Sequence, residues 1–238
     1  MPELTVDTPD GPIDGVLERP DGDGPHPGVV VVHDALGLSA DIRGITRDIA
    51  DHGYLALAPD LYSRGGTARC LTGVFRDLFA RRGRAVSDLL AARDHLRALP
   101  ECSGAVAVVG FCMGGGFALA LSPMGFDASA PFYGVLPRHL DEALSGACPI
   151  VASFGARDPI LPGAGKKLTA ELERQGVAHD VETYSGVGHS FVNHLPAGPA
   201  APLLRVVGFH YGEEQARDAW RRVYAFFNEH LQDLPPSA

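Results

Sequence analysis

Ala105-Val106-Ala107-Val108-Val109-Gly110-Phe111-Cys112-Met113-Gly114-Gly115-Gly116 passes from a continuous apolar run, through a cysteine, into a cluster of glycines. Phe117-Ala118-Leu119-Ala120-Leu121 follows. A strand, a sharp turn and a helix are the simplest account of that order. The pattern matches the nucleophile elbow G-x-S-x-G, with cysteine at the nucleophile's position. Glycine at the start of a helix costs roughly 1 kcal/mol per residue relative to alanine, so something must offset three of them. Close backbone approach between strand, turn and helix is the natural reason. A helix N-terminus beside the sulfur supplies partial positive charge and free N–H groups, which favour a thiolate and a developing oxyanion alike. The plain alternative is a buried structural cysteine packing as a small hydrophobe.

A chain of 238 residues suits one large α/β domain, residues 1–238, and is short for two. A net charge of -9 argues against nucleic acid or an anionic membrane as the main partner. No apolar run approaches bilayer length, and Met1-Pro2-Glu3-Leu4-Thr5 does not open a signal peptide. Cys70, Cys102, Cys112 and Cys148 are widely spaced, with no C-x-x-C pair, which fits reduced thiols in the cytoplasm. No histidine pattern suggests a metal site, and no cofactor is implied. The sequence carries no signal for oligomeric state.

Around the elbow, strands alternate with helices. Leu4–Thr8 and Ile13–Arg19 read as an edge hairpin turning at Gly11-Pro12. Gly28–His33 and Tyr54–Ala58 are continuous apolar runs, as in strands covered on both faces. Ser39 is the expected N-cap of a helix carrying Ile42, Ile45 and Ile49. Residues 60–82, with Gly65-Gly66 and a cluster of arginines, read as irregular. Val86, Leu89, Leu90 and Leu96 recover helical spacing. Phe126–Tyr133 and Pro149–Phe154 are further strands, joined by a connection with room for a short helix. A helix over Ala164–Gln175 is expected to stop at Gly176, before a last strand, Val177–Tyr184. Residues 192–212, rich in proline and glycine, read as a functional or mobile loop. A helix over Ala216, Trp220, Val223, Phe227 and Leu231 closes the chain, and Pro235–Ala238 reads as a frayed tail. The implied fold is α/β, a mostly parallel central sheet with helices on both faces.

A cysteine nucleophile needs a base, and the base needs an orienting group. In the α/β-hydrolase arrangement these follow in the order nucleophile, acid, histidine, each after a later strand. Asp158 stands in the loop after Ile150–Phe154, and His189 in the loop after Val181–Tyr184. They are the expected acid and base. Singly, Asp158-Pro159 could start a turn and His189 could be an ordinary loop histidine. Order and placement together favour the triad Cys112–Asp158–His189. Its oxyanion hole would use the N–H of Met113 and that of Ala35, in the loop after the Val29–Val32 strand.

Four motifs in order carry a family resemblance: Val32-His33-Asp34-Ala35-Leu36-Gly37, Ala58-Pro59-Asp60-Leu61-Tyr62, Gly110-Phe111-Cys112-Met113-Gly114-Gly115 and Gly188-His189-Ser190-Phe191. From about Gly28 to His194 the chain resembles the dienelactone hydrolases, cysteine-using members of the α/β-hydrolase fold. The resemblance implies hydrolysis of a small ester or lactone through an acyl-thioester. In that family a glutamate after the first buried strand helps to hold the resting thiol neutral. Asp34, one methylene shorter, occupies its place, and a helix-preceding loop acid is the plain alternative. The family also binds a substrate carboxylate with two arginines, one of them four residues after the catalytic histidine. That position here is Asn193, which points away from dienelactone itself as the substrate. Candidates for the other arginine are Arg64, Arg69, Arg76 and Arg81, with Arg205 as a possible compensation, although exposed arginines are by default solvated. Tyr62, Phe191 and Asn193 are expected to line the pocket. Two other functions compete: thioesterase or acyltransferase chemistry on the same triad, and a non-catalytic redox-sensing cysteine.

Overall fold

Alternate residues of a strand face opposite ways, and the valines of the first buried run show it. Val29 and Val31 join one apolar cluster, Val30 and Val32 another, and all four are fully buried. Such a strand is stable only with helices on both faces. A computed structural model of the chain describes residues 3–194 and 210–231. Arg205 and the tail Pro235–Ala238 lie outside the described residues, as does most of the 192–212 stretch.

The elements run β1 (Glu3–Val6), β2 (Ile13–Glu18), β3 (His26–Val32), α1 (Ala40–Asp51), β4 (Leu55–Pro59), α2 (Thr67–Ala80), α3 (Arg84–Arg97), β5 (Cys102–Phe111), α4 (Met113–Leu121), β6 (Ala128–Phe132), α5 (Leu140–Ala143), β7 (Ile150–Gly155), α6 (Ala164–Gln175), β8 (His179–Tyr184) and α7 (Glu213–Leu231). The described strands form one sheet in the order β1-β2-β4-β3-β5-β6-β7-β8. The β1–β2 hairpin is antiparallel, β2 pairs antiparallel with β4, and every pairing from β4 to β8 is parallel. Helices α1 and α7 cover one face, and α2, α3, α4 and α6 the other.

The caps follow local chemistry. Ser39 Oγ accepts from Ile42 N–H at 3.3 Å, and Gly176 ends α6 at a φ of +68°. Residues 60–82 correct the sequence expectation, because 67–80 is a helix. Cys70, Val74 and Leu78 recur every four residues, with Leu71 and Phe75 beside them, and turn toward the core. The charges and paired glycines masked that stripe. Helix α4 is buried at every residue from Met113 to Leu121, which explains its small side chains. The C-terminal ends of β3, β5, β6, β7 and β8 bring the candidate residues to one edge.

Candidate active site

The turn from β5 into α4 places Cys112 at φ 55°, ψ -111°. A non-glycine residue in the left-handed region carries strain of about 1–3 kcal/mol, and such strain concentrates at functional sites. Hydrogen bonds hold the turn: Cys112 N–H donates to Phe132 O at 3.1 Å, and Gly116 N–H to Cys112 O at 3.1 Å. A Cβ at Gly110 would collide with the backbone of Gly114, and one at Gly114 with the carbonyls of Val32 and His33. Glycine is therefore required here by close approach, as expected. The same contact lays the cysteine turn against the end of β3, where Asp34 and Ala35 begin their loop.

His189 and Asp158 meet at the far side. His189 Nδ1 lies 2.7 Å from Asp158 Oδ2, with both side chains 1% exposed. Asp158 Oδ1 accepts from Ile160 N–H at 2.8 Å, which fixes the carboxylate plane. Burial disfavours a charged imidazole, but hydrogen bonds to Asp158 and to the Cys112 side chain outweigh it. The His189 pKa is raised to about 9. His189 thus bonds to Asp158 on one side and interacts with the Cys112 side chain on the other.

Met113 is the first residue of α4, so its N–H has no partner within the helix. Tyr62 bridges the two expected oxyanion donors, its hydroxyl lying 3.3 Å from Ala35 O and 3.7 Å from Met113 Sδ. Tyr62 is buried and supports that corner from behind. Asp34 Oδ1 accepts from Leu36 N–H at 2.8 Å, closing its own loop. Burial raises the Asp34 pKa, as does the charge of Asp41, against the pull of the Leu36 N–H and His189. His33, beside it, is kept neutral by burial; its Nε2 accepts from Leu61 N–H at 3.2 Å, linking the loops after β3 and β4.

Three expected substrate contacts need correction. Arg64 is committed elsewhere: its guanidinium donates to both oxygens of buried Asp88, at 2.7 and 2.9 Å, to Thr8 Oγ1 and to Gly11 O. It ties α3 to the β1–β2 hairpin. Arg64→Ala is expected to lower stability by about 3 kcal/mol, since Asp88 would stay buried without its counter-charge, keeping only the hydrogen bond from the Thr8 hydroxyl. The chemical denaturation midpoint should fall while kcat/KM for ester turnover stays near wild type. Phe191 is fully buried and packs edge-on against Tyr133 at 5.6 Å, so it backs the site instead of lining it. Asn193 is also buried; its Oδ1 accepts from the Tyr133 hydroxyl and its Nδ2 donates to Asp41 Oδ2 at 2.6 Å.

Tyr133 and Asp41 carry no motif and were not singled out from the sequence. The only signal was the order Phe132-Tyr133-Gly134 at a strand end, where an aromatic residue meets an obligatory glycine. A Cβ at Gly134 would collide with the backbone of Gly115. Among the described residues no group of three or more His, Cys, Asp or Glu side chains is placed to hold a metal ion. No described helix is long and apolar enough to cross a membrane.

The model of the dienelactone hydrolase family matches residues 13–231. A carboxymethylenebutenolidase of Pseudomonas putida is 28% identical over 83% of this chain and 89% of its own length. Among solved structures, a dienelactone hydrolase-like promiscuous phosphotriesterase from metagenomic libraries superposes with a TM-score of 0.77. It is 28% identical and covers 96% of this chain and 98% of its own. An esterase from Pyrobaculum calidifontis, 18% identical, shares the fold with a TM-score of 0.66 over 94% of this chain and 83% of its own.

Proposed function

The chain belongs to the dienelactone hydrolase family and is a hydrolase of esters or lactones, and from that premise we propose that Cys112 attacks a small ester or lactone to form a covalent thioester, with His189 as proton carrier and Asp158 as its orienting group. The observation that carries this reading is the buried 2.7 Å contact between His189 and Asp158, continued by the imidazole's hydrogen bond to Cys112.

His189, its pKa raised by its hydrogen bond to Asp158, takes the proton of the Cys112 thiol. The thiolate adds to the acyl carbon, and the N–H groups of Met113 and Ala35 receive the oxyanion. Collapse breaks the carbon–oxygen bond, and His189 gives its proton to the departing alkoxide. Thioester formation removes the sulfur's charge and its hydrogen bond, two of the influences that hold the imidazole pKa high. Neutral His189 then takes a proton from water, and hydroxide adds to the thioester. The carboxylic acid leaves, and the thiolate–imidazolium pair returns. Asp34, close enough to interact with His189, is the carboxylate in our reading that opposes negative charge on the sulfur until substrate is bound.

Asn193, buried and engaged at both ends of its amide, offers a substrate carboxylate no cationic partner, so in our reading the substrate is uncharged there, unlike dienelactone. Four free thiols support a reducing compartment, the cytoplasm. The test is alkylation by iodoacetamide, with peptide mapping, beside hydrolysis of p-nitrophenyl acetate. Burial raises the pKa of the Cys102 thiol and pushes that of Cys148 to about 12, so both should react slowly. Loss of activity should track modification of Cys112, and substrate should slow it. Full turnover by protein alkylated at Cys112 would refute the assignment.

The raised His189 pKa also makes stability depend on pH. Because the folded value exceeds that of a free imidazole, the contribution is fully present below about pH 6.5 and is lost as pH rises through about 9. The wild-type melting temperature should decline over that window, and His189→Gln should flatten the decline. An equally steep decline in the variant would assign the effect to other groups.

A further inference from the structure

Tyr133 follows β6 with a φ of +38°, a conformation that a bulky residue keeps only when its surroundings impose it. Its N–H donates to Ser153 O at 2.8 Å, and the carbonyl before it, Phe132 O, accepts from Cys112 N–H. The residue therefore starts between the cysteine turn and the end of β7. Its ring centroid lies 5.0 Å from that of His189, with the planes tilted by 55°. The hydroxyl reaches two elements further, through Asn193 to Asp41 in the first turn of α1. The second Asp41 oxygen accepts from His194 N–H at 3.0 Å.

The donors and acceptors along this path permit one arrangement. Burial, then the charges of Cys112, Asp34 and Asp41, push the Tyr133 phenol well up, so it remains a donor. A carboxylate only accepts. Between them the Asn193 amide must turn its oxygen to Tyr133 and its nitrogen to Asp41. The loop so gripped is itself strained: Ser190, next to His189, has a φ of +62°, and Asn193 N–H closes the turn onto Ser190 O at 3.1 Å.

We propose that Tyr133, Asn193 and Asp41 are positioning residues, a strap that ties the loop carrying His189 to the first turn of α1. The Tyr133 ring, pinned by the strap, sets the tilt at which the imidazole faces Asp158 and Cys112 together. The proposal rests on the reading of His189 as the proton carrier. It gives Asn193 a function unrelated to substrate charge: the family's arginine position here holds a strut.

The test compares Tyr133→Phe, Asp41→Ala and the double variant by steady-state ester kinetics, thermal melting and the low-field proton resonance of His189 Nδ1. His189→Ala serves as a control. Each single variant should lose about 10- to 100-fold in kcat with little change in KM, since small misplacements of a reacting group have effects of that size. The double variant should be no worse than the poorer single one, and the Nδ1 resonance should broaden in all three. Should Tyr133→Phe fail to fold, Asp41→Asn, which keeps one acceptor, carries the same comparison. Unchanged kcat, or losses that multiply while the resonance stays sharp, would overturn the strap. An active His189→Ala variant would instead overturn the reading of the site, and the strap with it. An inactive control beside unaffected strap variants would refute the strap alone.

Discussion

Cys112→Ala is expected to lower kcat/KM for p-nitrophenyl acetate by about 10⁵-fold or more, with the fold retained. Removing a nucleophile costs most of the rate enhancement, because the oxyanion donors and binding contacts left behind are designed around an attack that no longer occurs. Alanine removes the sulfur without enlarging the residue, so the turn between β5 and α4 has room for it. The left-handed backbone at position 112 is enforced by Gly110, Gly114 and the bonds to Phe132 and Gly116, none of which needs the thiol. Melting temperature should therefore shift by only a few degrees. A variant that melts normally and hydrolyses the ester at the wild-type rate would remove the cysteine from the chemistry.

Asp158→Asn should lower kcat by about 10³- to 10⁴-fold, for a reason peculiar to this carboxylate's bonds. Oδ1 is already held by Ile160 N–H, so an asparagine oxygen takes that place and turns its NH2 toward His189 Nδ1. The imidazole must then accept at Nδ1 and carry its proton on Nε2, the wrong tautomer to receive one from water. The charge that supports the imidazolium is also lost, so the His189 pKa should fall from about 9. Titration of the His189 ring by NMR would read that fall directly. A pKa unmoved by the substitution, with kcat near wild type, would mean that Asp158 only shapes its loop.

Much of the architecture was legible because the residues that build it are local. The run from Ala105 to Leu121 contains strand, turn and helix in one contiguous stretch, and its glycines mark contacts visible even without the partner chain segments. That Asp158 and His189 would come together was legible because strand ends can be counted. What could not be seen depends on which side chain a residue meets across the fold. Arg64 looked available, but its match to Asp88 is set by how α3 crosses the β1–β2 hairpin. Phe191 and Asn193 sit beside the histidine in sequence, yet their loop turns them inward, onto Tyr133. Helix α2 was missed for a different reason. Its apolar stripe is diluted by arginines, and burial against α4 and α3 decides its structure where propensity does not.

Intact-protein mass spectrometry after rapid acid quench of an ester turnover would detect a covalent acyl-enzyme on Cys112. A mass increase equal to the acyl group, mapped to the peptide containing Cys112 and released by hydroxylamine, is the predicted result. It should accumulate when Asp158→Asn slows deacylation and be absent from Cys112→Ala. Active turnover with no acyl mass on Cys112 under conditions that slow deacylation, or an adduct mapped to another residue, would contradict the account.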